Sequence, residues 1–88
     1  MRLLWTAEAW EDYVSWQAEE PAVARKINAL LVDARRQPFN GLGKPEPLRG
    51  DFAGWWSRRI TGEHRLAYRV SGTGDAQRIE IVQCRYHY

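Results

Sequence analysis

The chain has 88 residues, of which 44% are hydrophobic and 27% charged, with a formal net charge of +2 at pH 7. Length and composition fit one small folded domain over residues 1–88 and exclude a disordered tail. No apolar run approaches the ~20 residues of a membrane span, and residues 1–6 lack the apolar region of a signal peptide, so we expect a cytoplasmic protein. One cysteine and two histidines offer neither a disulfide nor an ordinary zinc ligand set, so we expect no metal and no cofactor.

Basic residues and tryptophans are distributed unevenly. Eleven of the thirteen basic residues are Arg, and five residues are Trp. Residues 1–40 carry a net charge of −1, whereas residues 41–88 carry +3. A basic half that is rich in arginine and aromatic residues indicates an anionic partner.

The first forty residues predict one strand and two helices. Residues 2–5 form the strand, and Thr6 is suited to cap the first helix, with Trp5 and Trp10 at the positions of a hydrophobic staple. Pro21 begins the second helix, and Pro38 ends it. Apolar residues at helical spacing form the core-facing stripe of this helix: Val23, Ile27, Leu30, Leu31 and Ala34.

The second half predicts a long loop and three strands. Prolines and glycines are concentrated over residues 38–54, and residues 38–48 are expected to form an irregular loop. The strands cover residues 55–60, 64–70 and 77–86. The fold class is therefore α+β with the order β-α-α-β-β-β, in which a two-helix hairpin packs on one face of a twisted antiparallel sheet and arginines occupy the open face.

Arginines of the predicted hairpin could form a phosphate clamp. Arg65 points away from the apolar face of its strand, and Arg58 and Arg59 point to opposite faces of the neighbouring strand. Only one of these two can join Arg65, and alternation alone does not decide which. Two guanidinium groups on one face suit a phosphate, and the alternative is a solvated face whose arginine stems cover apolar surface.

Two residues could supply acid–base chemistry. Glu46 lies between Pro45 and Pro47, which restrict the backbone and would hold a carboxylate base in place. Histidine as a residue type titrates near neutrality, and His87 lies close to the end of the chain, where it could act as a general acid. The alternatives are a surface carboxylate and a frayed tail without function.

Other candidates are interpreted as structural. Cys84 is expected in the core rather than as a nucleophile, and His64 is expected to be structural or on the surface. Trp55 and Trp56 face opposite sides of one strand, so one belongs to the core and the other could stack on a base or on a partner chain.

A base, an acid and a phosphate clamp are the parts needed to cleave RNA through its own 2′-hydroxyl. The base removes the 2′-OH proton, guanidinium groups stabilise the phosphorane, and the acid protonates the departing 5′ oxygen.

Four motifs occur in order along the chain: Gly43-Lys44-Pro45-Glu46-Pro47-Leu48, Trp56-Ser57-Arg58-Arg59-Ile60, Glu63-His64-Arg65-Leu66 and Cys84-Arg85-Tyr86-His87-Tyr88. In this order and spacing they resemble the YoeB toxins, the Txe/YoeB family of the RelE/ParE superfamily. The resemblance spans nearly the whole chain and is weakest over residues 71–76, which look longer than the turn of close relatives.

The resemblance implies a RelE-like, microbial-RNase-like fold and the toxin of a toxin–antitoxin pair. Such a toxin binds the ribosome and cleaves mRNA in the A site, and a YefM-type antitoxin neutralises it. Operator DNA would be reached only through the antitoxin, no membrane is involved, and a homodimer is suggested by the family.

The resemblance also implies site residues. The general base falls on Glu46, the general acid on His87, and the C-terminal tyrosine on Tyr88. The phosphate-stabilising arginines fall on Arg59 and Arg65, which favours Arg59 over Arg58. A basic residue that assists the site in relatives, often Lys, falls on Arg49. Lys44 and Trp56 are predicted to bind RNA as well.

Two other function classes stay open. One is a pure inhibitor, as ParE-like relatives share the fold and are thought to poison gyrase without cleaving RNA. The other is a non-catalytic RNA-binding module or an inactive, antitoxin-bound remnant. Glu46, His87 and Tyr88 argue against the pure inhibitor, because a binding-only protein has no need of a paired acid and base, and an assay of RNA cleavage with and without ribosomes would separate all three classes.

Overall fold

The computed structural model describes residues 1–86, in which two helices pack on one five-stranded sheet. The helices are α1 (Ala7–Glu19) and α2 (Pro21–Arg36). The strands are β1 (Arg2–Trp5), β2 (Glu46–Pro47), β3 (Trp56–Arg59), β4 (Arg65–Ser71) and β5 (Arg78–Gln83), and their order across the sheet is β1-β5-β4-β3-β2. Within this part of the chain, neither helix is long and apolar enough to cross a membrane.

The predicted α+β fold is confirmed, and the sheet has two features that the sequence did not predict. β1 runs parallel to β5, so the sheet is mixed. A parallel pairing needs a long crossover connection, and the two helices are part of the chain that connects β1 to the rest of the sheet. The second feature is β2, which lies inside the predicted loop and pairs antiparallel with β3. It is a two-residue edge strand, the position at which a sheet tolerates Pro47.

The predicted helix signals are confirmed. The Thr6 hydroxyl accepts a hydrogen bond from the Ala9 N–H at 3.1 Å, which caps α1. The rings of Trp5 and Trp10 meet edge to face with centroids 5.6 Å apart, as a hydrophobic staple requires. The whole predicted stripe of α2 is buried, and it belongs to the same core as the sheet residues Leu66, Tyr68, Ile79 and Ile81.

Arg58 lies on the core face of the sheet and anchors the loop that follows α2. It lies opposite Leu66 on the core face and is fully buried. Its Nη1 contacts Asp33 Oδ2 at 2.6 Å, and its Nε donates to the Tyr68 hydroxyl at 3.0 Å. The other guanidinium bonds reach three backbone carbonyls of the loop: Gln37, Asn40 and Leu42. Because this buried charge is paired and each of its N–H groups is bonded, it holds the loop against the sheet.

The Asp33 carboxylate predicts a loss of stability in acid. Hydrogen bonds from the Gln37 amide, the Arg58 guanidinium and the Leu42 N–H lower the pKa of Asp33 from 3.8 to about 2. Since the pKa in the folded state lies below the ordinary value, this stabilisation is present above about pH 4 and is lost as the pH falls towards about 2. We expect Asp33→Asn to be less stable than the parent at neutral pH, and the difference in Tm to close across that window. A difference in Tm between the parent and Asp33→Asn that stays constant from neutral pH to about pH 2 would contradict this account.

Candidate active site

Strand pairing brings the predicted base and both predicted clamp residues onto one face of the sheet. Glu46 lies opposite Ser57, and Ser57 lies opposite Ala67. Arg59 lies opposite Arg65, two positions further along the same strands, so all five residues face away from the helices. Diagonal neighbours in a sheet lie about 7–8 Å apart, a distance that glutamate and arginine side chains can span.

The centre of this face carries two short side chains. Ser57 and Ala67 are only 6% and 1% exposed although they face away from the helices. Both side chains are short, whereas Glu46 and Arg59 are exposed and Arg65 is half-buried. Ser57 and Ala67 therefore lie between a carboxylate and two guanidinium groups. A phosphodiester resting there would have the two kinds of charged group within reach.

The turn between β3 and β4 fixes the Arg65 side chain. Its Nη1 donates to the backbone carbonyls of Thr61 at 2.8 Å, His64 at 3.1 Å and Gly62 at 3.3 Å. The turn is itself held by the Thr61 hydroxyl, which accepts from the N–H groups of Glu63 and His64. All three guanidinium bonds use Nη1, and the group has further N–H donors at Nε and Nη2. Arg65 is thus held before substrate arrives, which favours the stabilisation of developing charge.

The segment leading into Glu46 is fixed where it crosses β3. The Gly43 carbonyl accepts a hydrogen bond from the Arg59 N–H at 2.6 Å. Gly43 has a φ of +79°, and a Cβ there would lie 2.7 Å from a Leu30 methyl, so only glycine fits this approach. Lys44 follows with a φ of 51° and an exposed side chain. The loop therefore delivers Glu46 to β2 at a defined position.

The other predicted RNA contacts divide into two groups. Arg49 and Lys44 are exposed on either side of β2, where their charge can add to the field around Glu46. Trp56 does not belong with them, because it lies opposite Tyr68 on the core face and packs against Phe39 with ring centroids 4.9 Å apart. This placement gives Trp56 a packing role on the core face, and its contact with RNA stays a prediction.

Trp55 is the tryptophan nearer to the open face. The guanidinium carbon of Arg69 lies 4.7 Å from its ring centroid. Arg69 is an exposed residue of β4 that points to the opposite side from the buried Tyr68. Sequence alternation correctly predicted that one of the two adjacent tryptophans would be in the core, but it did not identify which one.

Cys84 is a core residue, as predicted. It is fully buried, and its thiol lies 3.6 Å from the Ala9 carbonyl oxygen. Burial raises the pKa of the Cys84 thiol to about 12. A thiol that stays protonated at neutral pH is a poor nucleophile, so the structure gives Cys84 a packing role.

The C-terminal segment reaches the predicted clamp. β5 ends at Gln83, earlier than the predicted strand over residues 77–86. The Tyr86 carbonyl accepts a hydrogen bond from the Arg65 N–H at 2.8 Å, so residue 86 lies directly beside Arg65. His87 and Tyr88, the predicted acid and terminal tyrosine, lie outside the described residues.

Between Met1 and Tyr86, the structure contains no group of three or more His, Cys, Asp or Glu side chains that could hold a metal ion. The lack of a metal requirement stays a prediction, to be tested by activity.

Sequence reasoning did not recognise the contribution of Arg58 and Asp33. Alternation left Arg58 as one of two candidates for the clamp, whereas the structure shows that it fixes the loop that precedes Glu46. A signal was present, since an arginine on the apolar face of a strand must be paired. Its partner is 25 residues away in sequence and could not be identified from spacing.

Comparisons with known proteins agree with the geometry. A family model of YoeB-like toxins of bacterial type II toxin–antitoxin systems matches residues 5–88. Toxin YoeB of Escherichia coli K12 is 52% identical over 88 residues, which cover 100% of both chains. The solved YoeB/ParE toxin from Agrobacterium tumefaciens is 59% identical over 100% of both chains, with a TM-score of 0.96.

Two solved structures from Staphylococcus aureus are also similar. They are a YoeB dimer, with a TM-score of 0.86, and a heterotetrameric YoeB–YefM toxin–antitoxin complex, with a TM-score of 0.87. Each toxin chain is 39% identical to this chain, with coverage of 100% of this chain and 98% of the other. The full-length sequence match and the near-identical backbone lead to one conclusion: the chain belongs to the YoeB-like toxins of bacterial type II toxin–antitoxin systems.

Proposed function

We propose that this toxin is a metal-independent endoribonuclease that cleaves mRNA in the ribosomal A site and thereby inhibits translation in the cytoplasm. The observation that carries the proposal is the shared face of Glu46, Arg59 and Arg65. A carboxylate beside two guanidinium groups supplies a base and a charge clamp for a phosphodiester. The family resemblance supplies the ribosome as the site of action.

Cleavage proceeds through the 2′-hydroxyl of the RNA. Glu46 accepts the 2′-OH proton as the 2′ oxygen attacks phosphorus, and Arg59 and Arg65 stabilise the negative charge of the phosphorane. His87 donates a proton to the 5′ oxygen as its bond to phosphorus breaks. The products are a 2′,3′-cyclic phosphate and a 5′-hydroxyl, so neither water nor a metal ion enters this step.

Three further residues assist this reaction. Arg49 and Lys44 add positive charge for the RNA backbone beside the base, and Arg49 takes the place of a residue that is often Lys in relatives. Tyr88 follows the general acid His87 directly in the sequence and is assigned an assisting role on the family resemblance alone.

The proposed protein partner is a YefM-type antitoxin that occupies the site and neutralises the toxin. The YoeB–YefM complex of S. aureus supports this partner, and the YoeB dimer of the same organism supports a homodimer of this chain. Contact with operator DNA would be made only through the antitoxin.

The proposal is tested by incubating the toxin with mRNA in the presence and in the absence of translating ribosomes. We expect A-site cuts with ribosomes and little cutting without them, and recovery of intact mRNA when the antitoxin is added. Inhibited translation with uncut mRNA would instead favour a binding-only inhibitor. Translation that continues, with mRNA that stays uncut, would favour an inactive remnant.

A further prediction concerns metal and product chemistry. At high toxin concentration on free RNA, EDTA is expected to leave the cleavage rate unchanged, because the proposed step uses side chains alone. A substrate with a 2′-deoxy or 2′-O-methyl sugar at the scissile position should resist, since it has no 2′-OH proton to lose. End-group analysis should find a 2′,3′-cyclic phosphate. Complete loss of a measurable activity in EDTA would overturn metal independence.

A further inference from the structure

His64 contacts the C-terminal segment through its side chain. Its Nδ1 accepts a hydrogen bond from the Tyr86 N–H at 2.8 Å. Since a backbone N–H can only donate, Nδ1 carries no proton and the ring proton is on Nε2. The Tyr86 carbonyl is bound at the same time by the Arg65 N–H. Both polar groups of this backbone residue are therefore fixed by two consecutive residues of the β3–β4 hairpin.

The His64 ring is itself held in place. It meets the buried Trp16 edge to face with centroids 4.8 Å apart, and its centroid lies 5.4 Å from that of Tyr86. Tyr86 has a φ of 63°, in the left-handed region that residues other than glycine rarely adopt. Such a conformation persists only where its surroundings determine it, and it is common next to functional sites. The His64 hydrogen bond is one of the contacts that maintain it.

The residues before Tyr86 are secured by α1. Trp16 Nε1 donates to the Cys84 carbonyl at 2.8 Å. The Arg85 guanidinium contacts Glu19 at 2.7 Å and the Ser15 hydroxyl at 2.8 Å. It also lies over the Trp16 ring, 4.2 Å from the centroid. The segment is thus held up to Arg85 by hydrogen bonds and ion pairs in which His64 takes no part, and the hydrogen bond from His64 is made at Tyr86.

We infer that His64 is a positioning residue for catalysis: its Nδ1 fixes the backbone of Tyr86, the residue that precedes the proposed general acid His87. This inference rests on the proposed function, since it assigns His87 the role of general acid. His64 makes no contact with the reacting groups in this account and acts through the backbone alone. A misplacement of about 1 Å in a catalytic group can cost about 10²-fold in rate.

Two variants separate the hydrogen bond from the packing. His64→Phe keeps an aromatic ring against Trp16 and Tyr86 but removes the acceptor. His64→Asn removes the ring but places an amide oxygen two bonds from Cβ, where Nδ1 stands in the parent. If the ring had only a structural role, His64→Asn would lose more cleavage activity than His64→Phe. If the hydrogen bond positions Tyr86, His64→Phe would lose more.

The activity test uses the full-length toxin on mRNA bound to ribosomes. We expect His64→Phe to lower kcat by about 10²-fold with KM nearly unchanged, and His64→Asn to recover most of that loss. Equal damage in both variants, or full activity of His64→Phe, would overturn the inference. Parent toxin that cuts no mRNA would instead contradict the proposed function.

A second measurement does not depend on ribonuclease activity. In the parent, the Tyr86 amide should exchange slowly with solvent deuterium, and the ¹⁵N spectrum of His64 should show the tautomer with the proton on Nε2. His64→Phe should expose the Tyr86 amide while the Cys84 segment and the Tm stay close to those of the parent. A Tyr86 amide that exchanges equally fast in the parent and in His64→Phe would contradict the inference even if the toxin is active.

Discussion

Arg65→Ala is expected to lower the rate of ribosome-dependent mRNA cleavage by about 10²–10³-fold, the usual cost of removing one donor that stabilises transition-state charge. Arg65 is held by three turn carbonyls through Nη1 and faces away from the core. The loss should therefore appear in kcat, while the Tm stays near that of the parent. Single-turnover cleavage on purified ribosome complexes measures the effect. Lysine at this position should restore only part of the rate, because an ammonium lacks the planar fork of donors.

Other arginines serve as comparisons. Arg59→Ala should show a similar loss, because Arg59 lies opposite Arg65 on the same face. Arg25→Ala removes the same charge from an exposed position on α2 and should leave the rate unchanged. Arg58→Ala should behave differently from both, with a lower Tm, because it leaves Asp33 and the loop carbonyls without their partner. An Arg65→Ala toxin that folds and cleaves at the parental rate would contradict the clamp.

The elements of the fold were predictable where the pattern is local. The Thr6 cap, the stripe of α2 and the alternation of β4 follow from spacing alone, and the structure shows each of them. The parallel pairing of β1 with β5 joins residues about 76 positions apart. No local pattern encodes such a pairing, which depends on how the helical hairpin returns the chain to the sheet.

The residue types of the candidate site were predictable from the sequence, but the pairing of the strands that carry them was not. Alternation showed that Arg58 and Arg59 face opposite sides, and the family resemblance favoured Arg59. The pairing of Arg59 with Arg65 is a physical reason for the same choice. The short strand β2 could not be predicted, because two residues carry no periodicity and Pro47 lowers strand propensity. That strand is nevertheless what sets Glu46 beside Ser57.

The contact between His64 and Tyr86 shows the same limit. A histidine after a turn has no sequence signal that points to a residue 22 positions later. Its role depends on the turn, the Trp16 ring and the end of the chain meeting in space. Contacts that position a segment are therefore found from the structure, whereas candidates for the reacting groups could be named from the sequence.

His87→Gln is expected to lower the cleavage rate by roughly 10²–10⁴-fold, the usual contribution of a positioned general acid. Glutamine keeps a polar side chain of similar size but cannot donate the proton that the departing 5′ oxygen requires. Ribosome binding should be nearly unchanged, because the lost step is chemical. In the parent, the rate should fall as the pH rises, because only the protonated imidazolium can donate the proton. Rapid-quench cleavage on ribosome complexes across a range of pH measures both effects.

Because His87 is the second-last residue of the sequence, truncation and terminal tags provide controls for this prediction. Chain termini usually tolerate change, yet deletion of residues 86–88 should be at least as damaging as His87→Gln, since it also removes the residue held by His64 and Arg65. A tag fused after Tyr88 should lower the rate, whereas the same tag placed before Met1 should not. A His87→Gln toxin that cleaves ribosome-bound mRNA at the parental rate, with the same pH profile, would remove His87 from the mechanism. In that case the tight placement of Tyr86 would serve the fold rather than the chemistry.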